Sequence, residues 1–483
     1  MRYKKVLLVM PPLPNQYGAQ ASPPISIGYL SEFLTLHNIE HEILDMSFGY
    51  TLEDLKAKIK QFKPELIGLT MFGFRRDIPS DLISAIKSKD YDIIIGGPHP
   101  STEGKRTLEE IDADYTLKLE GEEILLGLCN GTPLKDIPGL IYRDGNEIKE
   151  NPRGPFTDVT KIPFPKYKKF ELEKYYRKKI RILTSRGCPY SCTFCSVKNT
   201  IGKQMRLRTP ESVVEEVKYW GDKGYRDIDF IDDHLLFDKK RVIEFCNGIE
   251  KLNIKDLNLS VGNGIRADGV DREILTYMKK AGFRGLSMGV EASNNRMLKL
   301  IKKAETIETI ENAIKLATEM GFDVSLFFIV GLPYETEKEV KESFKLALKY
   351  PVNNVSFYNP VPFPGTELYD YVEKNNLFIV KAPDYLNDMA HFDGPIFITP
   401  ELPLKKRIKL LEQGKKVEKE VLRRTFVRKM KRFGVLSELS SHIVFLKPIH
   451  KTLQRLSAES VFFKKTLIFI TNKLNLKLIG SVR

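Results

Sequence analysis

Cysteine is scarce in this chain, with five in 483 residues. That scarcity excludes a disulfide framework, which suits short secreted chains and not long ones. Long apolar runs are missing too, and none approaches the roughly 20 residues that span a bilayer. Met1 to Pro12 (MRYKKVLLVMPP) has a basic start but neither the longer apolar region nor the small-residue cleavage site of a signal peptide, so it reads as a first strand. Internal repeats and low-complexity segments do not stand out. With 42% hydrophobic and 29% charged residues the composition is globular, and the length suits two to four domains. The expected compartment is the reducing cytoplasm, where thiolates stay available to a metal.

Three of the five cysteines fall within eight positions. Cys188, Cys192 and Cys195 stand in TSRGCPYSCTFCS (184–196) with the spacing C-x3-C-x2-C. Three thiolates leave a bound iron-sulfur cube with one iron that the protein does not ligate. Structural metal sites are closed by four protein ligands, whereas catalytic sites keep a position open. Cys129 and Cys246 each stand alone in helix-like sequence and read as buried small hydrophobes. Zinc ribbons and fingers need paired C-x2-C, or C-x2-C with histidines further on, and no second pair follows. An incidental cysteine cluster or a zinc site is the competing reading.

Charge is unevenly placed. From Glu401 to Arg483 there are 21 Lys and Arg against 6 Asp and Glu, a surplus of 15, so the first 400 residues are close to neutral within a total of +14. The basic tail reads as helical, and its apolar-basic patches suit an anionic membrane surface. RNA would attract the same charge, but no appended RNA-binding module is apparent. A solvated helical cap is the plain alternative.

Along the first 135 residues strand-like VLLVM, EHEILDM, LIGLTMF and DIIIGG alternate with helix-like stretches. That alternation predicts an α/β fold, an open, doubly wound, Rossmann-like parallel sheet, with ligands bound beyond the carboxyl ends of the strands. Those ends carry Pro11-Pro12, Gly73, Gly96-Gly97-Pro98-His99 and, later, Glu120-Gly121-Glu122. Residues 136–175 are rich in Pro, Gly and charge and read as a linker with a small hairpin at Asp144-Gly145. From 176 to 395 six strand-helix units predict a partial (β/α)6 barrel with its motif residues at one mouth. Residues 396–483 form the helical C-terminal region.

The cluster motif, with its flanking Gly187, Pro189 and Phe194, resembles that of the radical S-adenosylmethionine (SAM) enzymes. The likeness extends to Asp232-Asp233, Gly264-Ile265-Arg266-Ala267-Asp268, Gly289-Val290-Glu291, Gly331-Leu332-Pro333 and Pro364-Gly365-Thr366. It implies a 4Fe-4S cluster on Cys188, Cys192 and Cys195 whose open iron chelates the amino and carboxylate groups of SAM. By the same resemblance Phe194, Asp232, Arg266, Glu291 and Gly331 are candidate SAM contacts, Arg266 for the carboxylate, Glu291 for the ribose or amine and Asp232 near the methionyl group. An ion pair closing the barrel rim is the alternative for Asp232, Arg266 and Glu291, and His234 is either a proton donor or a packing residue.

The N-terminal sheet resembles the cobalamin-binding domain of cobalamin-dependent members of that family. The resemblance makes Pro12, Gly73, Gly96, Gly97, Pro98 and His99 candidate cobalamin contacts. The D-x-H-x2-G motif that brings a histidine to cobalt is absent, so base-off cobalamin without a protein ligand is expected and His99 reads as a loop residue near the ligand's edge. The implied chemistry is a 5′-deoxyadenosyl radical from SAM followed by methyl transfer through methylcobalamin to an unactivated carbon, with a small-molecule, lipid or isoprenoid-like substrate. A cyclase or other carbon-carbon bond-forming enzyme, and an RNA-modifying or RNA-binding protein, are the alternatives. An electron donor of flavodoxin or ferredoxin type is the implied partner, with peripheral contact at the inner face of the membrane through the basic tail.

Overall fold

The computed structural model describes residues 1–13, 21–175, 178–381, 384–387 and 394–430. It divides into two compact units, Met1–Glu216 with Val361–Phe397, and Val217–Pro360 with the chain from Ile398 onward.

The first unit is built on a seven-stranded sheet of β1 (Lys5–Met10), β2 (Glu40–Asp45), β3 (Leu66–Thr70), β4 (Asp92–Gly96), β5 (Tyr115–Leu117), β6 (Leu140–Asp144) and β7 (Glu147–Glu150), in the order β2-β1-β3-β4-β5-β6-β7. The pairs among β1 to β5 are parallel. β6 and β7 run antiparallel; they are the hairpin expected at Asp144-Gly145, and they extend this sheet.

The interior of β1 is wholly apolar (VLLVM), as a strand covered on both faces requires. Val6 and Leu8 enter one core with Ile27 and Leu34 of the helix Ile25–Leu36 and with Leu125 and Leu128 of the helix Glu122–Asn130. Leu7 and Val9 enter the opposite core with Leu55 and Phe62 of the helix Leu52–Phe62 and with Leu82 and Ile83 of the helix Asp77–Ile86. Helices therefore cover both faces, which is the double winding the alternation predicted. Cys129 is fully buried in the first core, and burial pushes its thiol up to about 12.

Because β1 lies between β2 and β3, the strand order reverses there. In such sheets the crevice beyond the carboxyl ends at the reversal is the ligand site. Here it lies between Met10, followed by Pro11 and Pro12, and Thr70, followed by Met71 to Gly73.

β8 (Lys179–Ile182) leads to the cysteine loop, which is flanked by β9 (Ser185–Arg186) and β10 (Arg206–Leu207), paired antiparallel. In the second unit β11 (Asp227–Phe230), β12 (Asn258–Ile265), β13 (Phe283–Glu291), β14 (Asp323–Ile329) and β15 (Asn354–Tyr358) are neighbours in chain order, all parallel. The intervening helices open on Asp238, Asp271, Thr306 and Thr336, whose side chains accept a first-turn N–H; each such cap stabilises by about 1 kcal/mol. Cys246, 1% exposed in the helix Lys239–Lys251, packs as expected.

The basic tail begins as the helix Leu404–Lys429, which lies against β15. Glu418 accepts the Phe357 N–H at 2.6 Å, Thr425 donates to the Val352 carbonyl at 3.1 Å, and Lys429 pairs with Asp323 at 2.9 Å. Part of the tail's charge thus fastens a helix to the sheet. Residues 431–483, on which the rest of the expected membrane contact falls, lie outside the described residues. Among the described residues no helix is long and apolar enough to cross a membrane.

Candidate active site

The cysteine loop is held at both ends by backbone. Gly187 has φ +102°, and a Cβ there would lie 2.2 Å from the Gln204 carbonyl oxygen. Only glycine fits so close an approach with a left-handed backbone. The Cys188 N–H donates to the Gly202 carbonyl and the Cys195 N–H to the Cys192 carbonyl, each at 3.1 Å. The second bond is the turn that the C-x2-C spacing encodes. All three motif cysteines are half-buried, and none of the five is in a disulfide.

The Pro364-Gly365-Thr366 motif supports the same loop. Thr366 caps the helix Glu367–Lys374, the Leu368 N–H donates to the Thr193 carbonyl at 3.0 Å, and Asn199 donates to the Gly365 carbonyl at 2.6 Å. Phe194, a candidate SAM contact, packs against an apolar cluster that includes Leu368, Val372, Tyr385 and Phe397.

This donor set fits an iron-sulfur cube, because three half-buried thiols sit on one loop whose course backbone hydrogen bonds help to set. The thiolates of a cube each bind a different iron and need not close on one point; among the described residues no group of three or more His, Cys, Asp or Glu does so.

Arg186, inside the motif, makes a connection that sequence reasoning missed. Its guanidinium, 9% exposed, donates to Glu120 and to Glu122 at 2.7 Å each and lies over the Tyr29 ring. Across the β9–β10 pair Arg206 also donates to Glu120. Burial alone would raise the Glu122 carboxyl, but Arg186 holds it below its ordinary value. Glu120 and Glu122, in the stretch the sequence places at a strand end, anchor the strands that bracket the cysteines. Charge signs alone carried a hint of this, but pairing 64 positions apart leaves no local pattern.

At the carboxyl end of β4 the chain packs on itself. Gly97 has φ +113°, and a Cβ there would lie 2.7 Å from the Met71 carbonyl oxygen. Gly73 approaches Phe363, while Gly96 has ordinary contacts with Leu117. Pro98 is the first residue of the helix Pro98–Glu103, and His99 follows it. The sequence predicts a loop at His99. The structure corrects this: it lies in the helix, 3% exposed, its N–H donating to the Met71 carbonyl. Burial, with Arg76 and Arg106 adding, lowers its imidazole to about 3, so it is neutral. Pro12 is half-buried at the mouth of the β1/β3 crevice. Backbone-rich loops at these strand ends fit a corrinoid.

In the second unit the candidate SAM residues stand at successive strand ends. Arg266, just past β12 and 6% exposed, donates to the Lys303 carbonyl at 2.7 Å, the Ala304 carbonyl at 2.9 Å and Asp268 at 2.8 Å. Glu291 ends β13 with φ +62°, and Lys303 reaches its carboxylate at 3.3 Å. Burial raises the Glu291 carboxyl and Lys303 pulls it back down. A Cβ on Gly289 would lie 2.4 Å from Glu291 Oε1, so glycine lets the carboxylate fold over the strand. Arg266 and Glu291 thus both take part in ion pairs.

Asp232 is fully buried after β11. Burial, with the charge of Asp232 adding, pushes the neighbouring Asp233 up to about 7. His234 is 4% exposed with its ring edge-on to Phe237; burial, helped by Arg266, lowers it to about 4. A neutral, packed imidazole is the second of its two expected roles.

Gly331 has φ +98°, and a Cβ there would lie 2.2 Å from Nε of Arg407, which is fully buried on the C-terminal helix. Glu335 accepts the N–H groups of Gly331 at 2.6 Å and Leu332 at 3.2 Å. Burial pushes Glu335 up to about 8 and lowers Arg407 to about 9. Arg407 was missed because its neighbours in sequence read as a basic surface helix.

Comparison with known proteins agrees with this arrangement. Residues 182–347 match the radical SAM superfamily model, and residues 19–128 match the B12 binding domain model. An uncharacterized methyltransferase of Pyrococcus horikoshii is 29% identical over 394 residues, covering 78% of this chain and 85% of its own. The anaerobic magnesium-protoporphyrin IX monomethyl ester cyclase of Rubrivivax gelatinosus is 27% identical over 413 residues, 77% of this chain and 73% of its own. Among solved structures, the radical SAM methyltransferase TsrM of Kitasatospora setae, with tryptophan and a SAM analogue bound, aligns with TM-score 0.67 at 22% identity over 79% of this chain and 78% of its own. That last likeness shows the fold.

The chain is a cobalamin-dependent enzyme of the radical SAM superfamily, its B12-binding domain preceding the radical SAM core. Its cofactors are a 4Fe-4S cluster, SAM and cobalamin.

Proposed function

We propose that the protein is a C-methyltransferase acting on an unactivated carbon of a small molecule. When bound, the cluster with SAM supplies an organic radical and cobalamin a methyl carrier. Cys188, Cys192 and Cys195 would hold the cluster, with the backbone at Gly187 and Gly202 fixing the loop that presents them. The loops after β1, β3 and β4, at Pro12, Gly73 and Gly96-Gly97, would line the corrinoid, with Pro98 and His99 in the helix that follows behind them. Glu291 would accept hydrogen bonds from the ribose hydroxyls or ammonium of SAM, a role that needs its carboxylate ionised.

The observation that carries this reading is the joining, in one unit, of a three-cysteine loop with a sheet whose order reverses at β1/β3. The name of the Pyrococcus horikoshii relative supports methyl transfer, and that of the Rubrivivax gelatinosus relative supports ring closure as the alternative. A flavodoxin or ferredoxin would supply the electron. The surplus of basic residues beyond Glu401 supports an anionic membrane surface as the place where a lipid or isoprenoid-like substrate is met.

The test is anaerobic turnover of the reconstituted protein with methyl-deuterated SAM, reductant, cobalamin and a metabolite and lipid extract from a strain lacking the gene. The expected result is 5′-deoxyadenosine together with a deuterated methyl group on one extracted compound. A cyclised compound with no added carbon would replace methyl transfer by ring closure. Absence of 5′-deoxyadenosine from cluster-loaded protein would overturn the radical reading.

A further inference from the structure

Lys303 is a buried cation that the proposed chemistry does not use. Its side chain is 9% exposed and stands between two carboxylates, the largely buried Glu291 at 3.3 Å and the fully covered Glu305 at 3.6 Å. Burying a lysine is costly unless it is paired. The backbone around it is constrained, with Lys302 at φ +55° and Ala304 at φ +56°.

This short segment is clamped from several sides. Arg266 donates to the carbonyls of Lys303 and Ala304. Glu305 in turn accepts the N–H groups of Ala267 at 2.6 Å and Asp268 at 3.2 Å. The segment after β13 is thereby fixed to the end of β12, and the Lys303 ammonium is delivered to the carboxylate that ends β13. The charged and titratable groups facing the pair are Glu305, Arg266 and Asp268, with His234 of the segment after β11 close enough to feel Lys303.

Resting on the reading of Glu291 as a SAM contact, we propose that Lys303 is a positioning residue: it holds the Glu291 carboxylate as an anion, folded over Gly289, where it accepts the hydroxyl or ammonium donors of SAM. Arg266 then serves this clamp through its two carbonyl contacts and Asp268. Pairing with Lys303 opposes the burial that raises the Glu291 carboxyl. Without Lys303 that carboxyl rises further, so Glu291 gains a proton at a higher pH and loses its accepting form.

The test is SAM affinity, by equilibrium binding to cluster-reconstituted protein, between about pH 5.5 and about 7.5, below the titration of a typical α-amino group. Cluster content is measured separately by iron and sulfide analysis. Wild type should bind with shallow pH dependence. Lys303→Met should bind at least about tenfold more weakly at the acid end and recover as the pH rises and Glu291 ionises, while Lys303→Arg stays within about threefold of wild type.

Because Lys303→Met leaves carboxylates unpaired, the neutral pair Glu291→Gln/Lys303→Met is the second arm. It should bind as Glu291→Gln alone does, with no added loss and no pH slope. A Lys303→Met profile parallel to wild type, or additive losses in the pair, would overturn the proposal. Failure of wild type itself to bind SAM would instead overturn the reading of the site.

Discussion

At the scale of single residues, several motif positions are explained by what they make room for. Gly331 is left-handed and Arg407 occupies the space its Cβ would need. Gly331→Ala is expected to lower stability by about 2 kcal/mol or more, read as a lower urea midpoint; an unchanged midpoint would show that Arg407 can move aside. The cysteines and this glycine were legible because their spacing and flanking residues are local. Arg407, Lys303 and Arg186 were not, since each is defined by a partner far along the chain. A charged residue reads as surface until the fold shows the carboxylate or carbonyl that meets it.

At the scale of elements, the β9–β10 pair is what fixes the cysteine loop to the first sheet. Arg186 and Arg206 both converge on the Glu120–Glu122 turn from its two strands. Arg186→Met removes one cation from two buried carboxylates and should cost about 3–5 kcal/mol, with less iron retained per chain after reconstitution. Full iron loading at unchanged stability would mean that the pair does not anchor the loop. Alternation of strands and helices was read correctly because apolar runs of strand length bounded by Gly and Pro are local signals. The joining of β6 and β7 to the first sheet was not legible, for the hairpin is local but its pairing with β5 is not.

At the scale of the molecule, charge and connectivity part company. The first 400 residues are nearly neutral and the tail carries the surplus, yet part of the tail is the helix that covers β15 through Glu418, Thr425 and Lys429. A basic stretch is therefore partly an element of the fold, and composition alone did not separate the two roles.

The central claim is that three thiols hold a cube with one iron open to SAM. Electron paramagnetic resonance of the reduced, reconstituted protein, with and without SAM, tests it most directly. A 4Fe-4S signal that shifts on addition of SAM and is lost in Cys188→Ala, Cys192→Ala or Cys195→Ala is the expected result. A signal indifferent to SAM, or one that survives removal of those cysteines, would contradict it.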